Sequence, residues 1–193
     1  MKLQTLIVLT ILIALFLTGC AEAQVEETQA PAEVEASIAV VETHSASQAD
    51  AAKLLPKGKA PVEGILVGGQ PSPEQFENLA KLGYGTVINL RTAGEKGNTD
   101  PALIESLGMR YVTIPIGGAE TLTEQNARKL AQVLDETEEP VVIHCASSNR
   151  VGGLLALKAF YVDGKSPDEA LALGREAGMS RTEPLVRQAL GLE

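Results

Sequence analysis

From Val62 to the C-terminus, short apolar, β-branched runs alternate with amphipathic stretches that carry their own start and stop signals. GILVGG and GTVINLR have strand character, and SPEQFENLAKLG between them has that of a helix. Ser72 stands at the N-cap, Pro73 in the first turn, Gln75 at the capping-box position and Gly83 at the stop. The pattern repeats. DPALIESLG is a short helix capped by Asp100, RYVTIPI a third strand, and TEQNARKLAQVLDE a long helix with Leu130, Val133 and Leu134 on one face. PVVIHC is a fourth strand, too apolar for an exposed edge. The helices VGGLLALKAFYV, SPDEALALGREAG (capped by Ser166) and TEPLVRQALGL complete the chain. Such alternation predicts an α/β domain with a central, mostly parallel sheet of four to five strands flanked by helices. Ligands bind such sheets at the carboxyl ends of the strands.

The chain before Val62 has a different composition. LIVLTILIALFL follows a basic start at Lys2 and ends in LTGC, residues 17–20. The apolar run has signal-peptide length, whereas a spanning helix needs about 20 apolar residues. LTGC resembles the lipobox of bacterial lipoproteins, which implies cleavage before Cys20 and acylation of that cysteine. Ala21 follows it in place of the Asp that marks inner-membrane retention. The expectation is therefore an extracytoplasmic protein lipid-anchored to a bacterial membrane, the outer membrane facing the periplasm. The stretch from Cys20 to Lys53 holds seven acids and neither Lys nor Arg before its end, and it is rich in Ala, Ser, Thr and Gln. It reads as a disordered acidic stalk. The expected organisation is a signal over 1–19, a linker over 20–60 and a folded domain over 61–193.

Charge and cysteine count narrow the function. A formal net charge of −9 argues against a nucleic-acid partner. With His44 and His144 the only histidines, no ligand set of zinc spacing exists, so neither metal nor cofactor is expected. Once Cys20 carries lipid, Cys145 has no disulfide partner, and a lone thiol in an oxidising compartment is either buried or useful.

HCASSNRVGG, residues 144–153, points to use. Cys145 ends a strand and Arg150 opens a helix, with four residues between them. A helix N-terminus presents unpaired N–H groups and a positive dipole end, which favour a thiolate and an anion. The small residues Ala146, Ser147 and Ser148 let the backbone curl, so that its N–H groups and that of Asn149 converge on one point. Arg150 can grip two phosphate oxygens bidentately.

Here the sequence resembles the cysteine-dependent phosphatases of the protein-tyrosine and dual-specificity type. It is similar above all to the bacterial domain also found joined to β-lactamase-like hydrolases. The resemblance runs over roughly residues 62–165, through GGQPSPEQFENLAKLGYGTVINLR, RYVTIPI and HCASSNRVGGLLAL. It implies a cysteine-phosphatase-like fold and a phosphorylated substrate. It further implies Cys145 as nucleophile, Arg150 as phosphate clamp and His144 as support for the thiolate.

The sequence also departs from the common signature. Four residues separate Cys from Arg instead of five, as in the bacterial subgroup. Ser148 occupies the position where a Gly is usual, and the turn is strained there if it needs φ > 0. Val151 follows the Arg where a Ser or Thr usually stands, with Ser147 or Ser148 as the available substitutes. The related loop that supplies a general acid is GGAETLTEQN; Glu120 is its candidate, and Glu124 reads as a first-turn helix residue. Arg91 and Glu95 read as a local ion pair holding their loop. Two other readings stay open: a rhodanese-like sulfurtransferase, whose loop has the same short spacing, and a non-catalytic phosphate-binding pseudophosphatase.

Overall fold

The structure is a computed structural model that describes residues 48–192. The expected signal over 1–19, Cys20 with its lipid, His44 and the stalk up to residue 47 lie outside the described residues. Five strands form one sheet: β1 (Lys59–Val62), β2 (Ile65–Gly68), β3 (Thr86–Asn89), β4 (Arg110–Thr113) and β5 (Val141–His144). Their spatial order is β1-β2-β5-β3-β4, with β1 antiparallel to β2 and every other pairing parallel. The expected α/β fold with a mostly parallel sheet is therefore the observed one.

The helices form where their caps predict. In α1 (Pro73–Lys81), Ser72 and Gln75 make the reciprocal capping box, and Gly83 follows with φ +86°. Asp100 accepts from the Ala102 N–H to start α2 (Pro101–Ser106), and Thr123 from that of Asn126 to start α3 (Glu124–Asp135). The last three are α4 (Asn149–Tyr161), α5 (Pro167–Glu176), which has a second capping box at Ser166 and Glu169, and α6 (Glu183–Ala189).

Side chains alternate across the sheet, which accounts for the unbroken apolar runs of the inner strands. Val67, Ile88, Val141 and Ile143 face the helices α3 to α6, in a core with Leu130, Leu154 and Leu171. Leu66, Val87 and Val142 face the other side, against Phe76, Leu79 and Ile104 of α1 and α2. Every residue of β3 and β5 is buried. The alternation continues past β5. Cys145 joins the first core, while the His144 ring lies edge-on to Phe76 of the second, with 5.8 Å between centroids.

One boundary differs from expectation. Residues 48–60 are not linker but part of the domain. A helical turn at 48–52 buries Ala51 and Ala52, and Leu55 is 5% exposed against Leu66 and its neighbours. The chain then enters β1 and turns through Glu63-Gly64, with Gly64 at φ +74°. KAPV gave no strand signal because Pro61 interrupts it. On an edge strand the missing N–H of a proline is tolerated. Among the described residues no helix is long and apolar enough to cross a membrane.

Candidate active site

Loops leaving the carboxyl ends of β2, β3 and β5 meet at one end of the sheet. β5 delivers Cys145, whose backbone N–H donates to Gly68 O at 3.2 Å. An isolated bridge between Gly69 and Ser147 holds the next part of the loop against the β2 exit. The Ser147 N–H faces Cys145 Sγ at 3.5 Å. The thiol is 1% exposed, and the free thiol carries the only sulfhydryl among the described residues. A cavity of about 260 Å³ lies along the loop that follows it, walled by Ile116–Gly118, Ala146, Ser147, Asn149, Arg150, Arg181 and Thr182 among others.

Ser148 takes the left-handed backbone conformation, φ 65° and ψ −15°, and is the N-cap of α4. The positive φ anticipated at the glycine position is present. Its hydroxyl donates to Ala177 O at 2.8 Å and is buried, so it is committed to the fold and does not replace a Ser or Thr after the Arg. That leaves the partly exposed Ser147. The side chain of Asn149, expected among the phosphate-binding residues, is also engaged elsewhere. Its Oδ1 accepts from the N–H groups of Ser180, at 2.8 Å, and Thr182, at 3.2 Å, tying the start of α4 to the α5–α6 loop.

Arg150 is gripped from below. Its Nη1 and Nη2 reach the two Glu95 oxygens at 2.6 and 2.8 Å, and Nη1 also donates to Ile116 O. Glu95 accepts from Arg91 Nε at 3.1 Å and from the Thr92 N–H at 2.9 Å. The hydrogen bond from Arg150 holds the Glu95 carboxyl well below the usual carboxylate range, and the same bond raises Arg150. The Arg91–Glu95 pair is thus more than a local clasp: it seats the arginine of the loop, through a contact 55 residues apart in sequence. This role was missed, because Arg91 and Glu95, close together in NLRTAGE, read as a pair that holds only its own loop.

The same network reaches the other flank of the cysteine. Arg91 Nη1 donates to Gln70 Oε1 at 2.7 Å, and Gln70 Nε2 to Thr99 Oγ1 at 2.8 Å. Thr99 Oγ1 lies 3.2 Å from His144 Nε2. With Thr99 accepting from Gln70, its hydroxyl proton is free to be donated to that ring nitrogen. Burial lowers the His144 pKa to about 4, so the ring is neutral at neutral pH. Among the described residues its hydrogen bond goes to Thr99. It therefore anchors the loop from the far face of the sheet.

The candidate acids are not in the cavity wall. Glu124 pairs with Arg128 on α3, as its first-turn position suggested. Glu120 lies exposed in a 3₁₀ turn (Ala119–Thr121), with its carboxylate folded over Gly118. Gly117 and Gly118 do wall the cavity, which puts Glu120 at the rim. Among the described residues no group of three His, Cys, Asp or Glu is placed to hold a metal ion.

Comparison with known proteins gives the arrangement a context. Residues 27–188 match the family described as DSP-PTPase phosphatase fused to NAD+ kinase. A beta-lactamase hydrolase-like protein of Xylella fastidiosa is 34% identical over 122 residues, 60% of this chain and 28% of its own. Its namesake in Agrobacterium fabrum is 36% identical over 111 residues, 55% of this chain and 24% of its own. The chain thus spans 24–28% of the length of these curated relatives. Among solved structures, Tk-PTP in the active form superposes with a TM-score of 0.57 at 22% identity, covering 72% of this chain and 97% of that one. The core catalytic domain of the PP-IP phosphatase SIW14 from S. cerevisiae gives 0.54 at 17% identity, over 72% and 85%. At such identities the likeness speaks for the fold.

Proposed function

Because the chain belongs to the DSP-PTPase phosphatase family, we propose that it hydrolyses phosphate monoesters through a covalent phosphocysteine on Cys145. The observation that carries the reading is the seating of Arg150 by Glu95 at the start of α4, at the end of the loop that begins with a cysteine faced by the Ser147 N–H. In the first step Cys145 Sγ, as thiolate, attacks phosphorus. The phosphorus–oxygen bond to the leaving group breaks, and that oxygen takes up a proton. Arg150 and the loop N–H groups from Ala146 to Asn149 hold the equatorial oxygens as charge builds on them. In the second step water attacks phosphorus, the sulfur–phosphorus bond breaks and the thiolate is restored. Glu120, at the rim, is the proposed proton donor to the leaving oxygen. His144 acts through the loop backbone and its bond to Thr99.

A second reading, phosphate binding without turnover, is favoured by one feature. Val151 is fully buried and the Ser148 hydroxyl is committed, so the usual hydroxyl next to the arginine is missing. Sulfur transfer loses ground to the family match. The proposal includes lipid attachment at Cys20 and residence at the outer membrane on the periplasmic side, testable by palmitate labelling of the wild type against Cys20→Ala. Its substrate is a phosphorylated molecule, not a nucleic acid.

Phosphate release from p-nitrophenyl phosphate by the full-length protein under reducing conditions tests the chemistry. Cys145→Ser is expected to lose more than about a thousandfold in kcat/KM and to keep orthophosphate affinity. Arg150→Ala should weaken both. A folded wild type with no turnover, but with orthophosphate bound, establishes the second reading instead.

A further inference from the structure

A second and larger cavity, of about 520 Å³, lies beside the first. The two share the walls Ser147 and Arg181, so they are neighbours across the nucleophile loop. Among the described residues its other walls include Lys57, Lys59 and Ser180, and no Asp or Glu. In a chain with 25 acids against 16 bases, three cations around one cavity without a carboxylate go against the bulk composition. None of the three joins an ion pair or side-chain hydrogen bond among the described residues, although seven ion pairs form elsewhere in the domain. Like charges kept together and unpaired are a cost that a bound anion removes.

The backbone fixes the positions from which these side chains extend. Lys57 has φ +53°, a conformation costly for a side-chain-bearing residue. Its turn is locked by the Gly69 N–H donating to Pro56 O at 2.6 Å and that of Gly58 to Leu55 O at 3.0 Å. There is little room to relax, since a Cβ on Gly58 would lie 1.9 Å from Ala52 O. Lys59 opens β1, the edge strand with no sequence signal. Arg181 stands between Ser180 and Thr182, whose N–H groups both donate to Asn149 Oδ1, next to Arg150.

We propose that this cavity is a second anion subsite, formed by Lys57, Lys59 and Arg181, which binds a further phosphate group of a substrate whose scissile phosphate lies over Cys145. The inference rests on the phosphatase reading above and narrows its substrate class to molecules bearing at least two phosphates. Arg181, shared by both cavities, bridges the two groups.

The test is equilibrium binding of orthophosphate and of tripolyphosphate to the full-length Cys145→Ser protein, which cannot turn over. Tripolyphosphate is expected to bind about tenfold or more tightly than orthophosphate. In Lys57→Gly/Lys59→Gln on the same background the preference should fall to about twofold or less. Glycine is used at 57 because it accepts the positive φ, and orthophosphate affinity reports in each variant that the loop is folded. Lys59→Arg should keep the preference. Equal affinities in the parent, or a preference that survives the double substitution, overturns the subsite. Failure of the phosphatase reading looks different, because the wild type then fails on p-nitrophenyl phosphate while the tripolyphosphate preference stands. Phosphate release from a hexose bisphosphate, against release from phosphatidylcholine vesicles carrying a bisphosphorylated phospholipid, separates a soluble source of the second phosphate from a lipid headgroup. Release from neither, with p-nitrophenyl phosphate still hydrolysed, counts against the substrate class.

Discussion

At Ser148 a buried L-residue adopts φ 65°, where glycine would meet no steric penalty. What offsets the cost is local: its hydroxyl donates to Ala177 O, a carbonyl with little access to water. Removing the hydroxyl and removing the side chain therefore have different consequences. Ser148→Ala keeps the strain and orphans a buried carbonyl, at about 1–2 kcal/mol. Ser148→Gly loses the same bond but releases the backbone, and is expected to be about 1 kcal/mol more stable than the alanine variant. Urea denaturation of the two variants beside wild type measures the difference. Glycine no better than alanine would show that the left-handed turn carries no cost here. The positive φ was legible in the sequence, since Ser148 stands where a glycine is usual. The fate of its hydroxyl was not, because Ala177 lies 29 residues further on.

The elements were the most legible level, since each helix announces itself by chemistry within a few residues. Ser72 with Gln75, Asp100 and Ser166 with Glu169 all cap as their spacing predicts. How the elements pack was less so. Helix α4 is buried almost all round, and its Gly152 has no space for a side chain: a Cβ there would lie 2.4 Å from both Gly174 O and Met179 N. Gly174 on α5 answers it, with 2.9 Å to Ala156 Cβ. The two glycines let the helix behind the Cys145–Arg150 loop approach its neighbour more closely than alanines would allow. Gly152→Ala should cost more than about 2 kcal/mol, because backbone and not a flexible side-chain end must yield. The loss is read as a lower denaturation midpoint, with α5 and the Ser180–Thr182 loop showing the largest gain in hydrogen exchange. Edge strand β1 was not legible at all. A four-residue strand with a proline has no periodicity, and what holds it is pairing with β2.

At the scale of the molecule, one polar network joins His144, Thr99, Gln70, Arg91, Glu95 and Arg150 across loops that leave three strands. Its protonation ties stability to pH with a definite sign. His144 is lowered by burial from 6.5 to about 4, so the folded state binds its proton less readily than the unfolded chain. Its contribution is complete above pH 6.5 and is lost as pH falls through 4. Glu95, lowered mainly by its bond to Arg150, acts in the same direction below its ordinary value. Between pH 7 and pH 4 the histidine alone should cost about 3 kcal/mol of stability. Denaturant midpoints over that range measure it, and His144→Gln should flatten the slope. An unchanged slope in the variant would assign the acid sensitivity to other groups.

By itself the sequence determined the alternation of strands and helices, the helix caps, the parallel sheet and the position of the Cys145–Arg150 loop between a buried strand and a helix. The signals behind these readings, caps and apolar periodicity, each lie within about a dozen residues, although the strand pairings they foretell do not. Only the tertiary structure decided that residues 48–60 close the sheet, that Glu95 seats Arg150, and that Lys57, Lys59 and Arg181 surround one cavity. Glu95 and Arg150 are 55 residues apart and the two lysines more than 100 from Arg181, and nothing in the local pattern of either partner depends on the other; β1 pairs with the nearby β2, but its short run with a proline carries no pattern of its own. Such pairs become neighbours only when burial of both faces of the sheet brings the ends of its strands together.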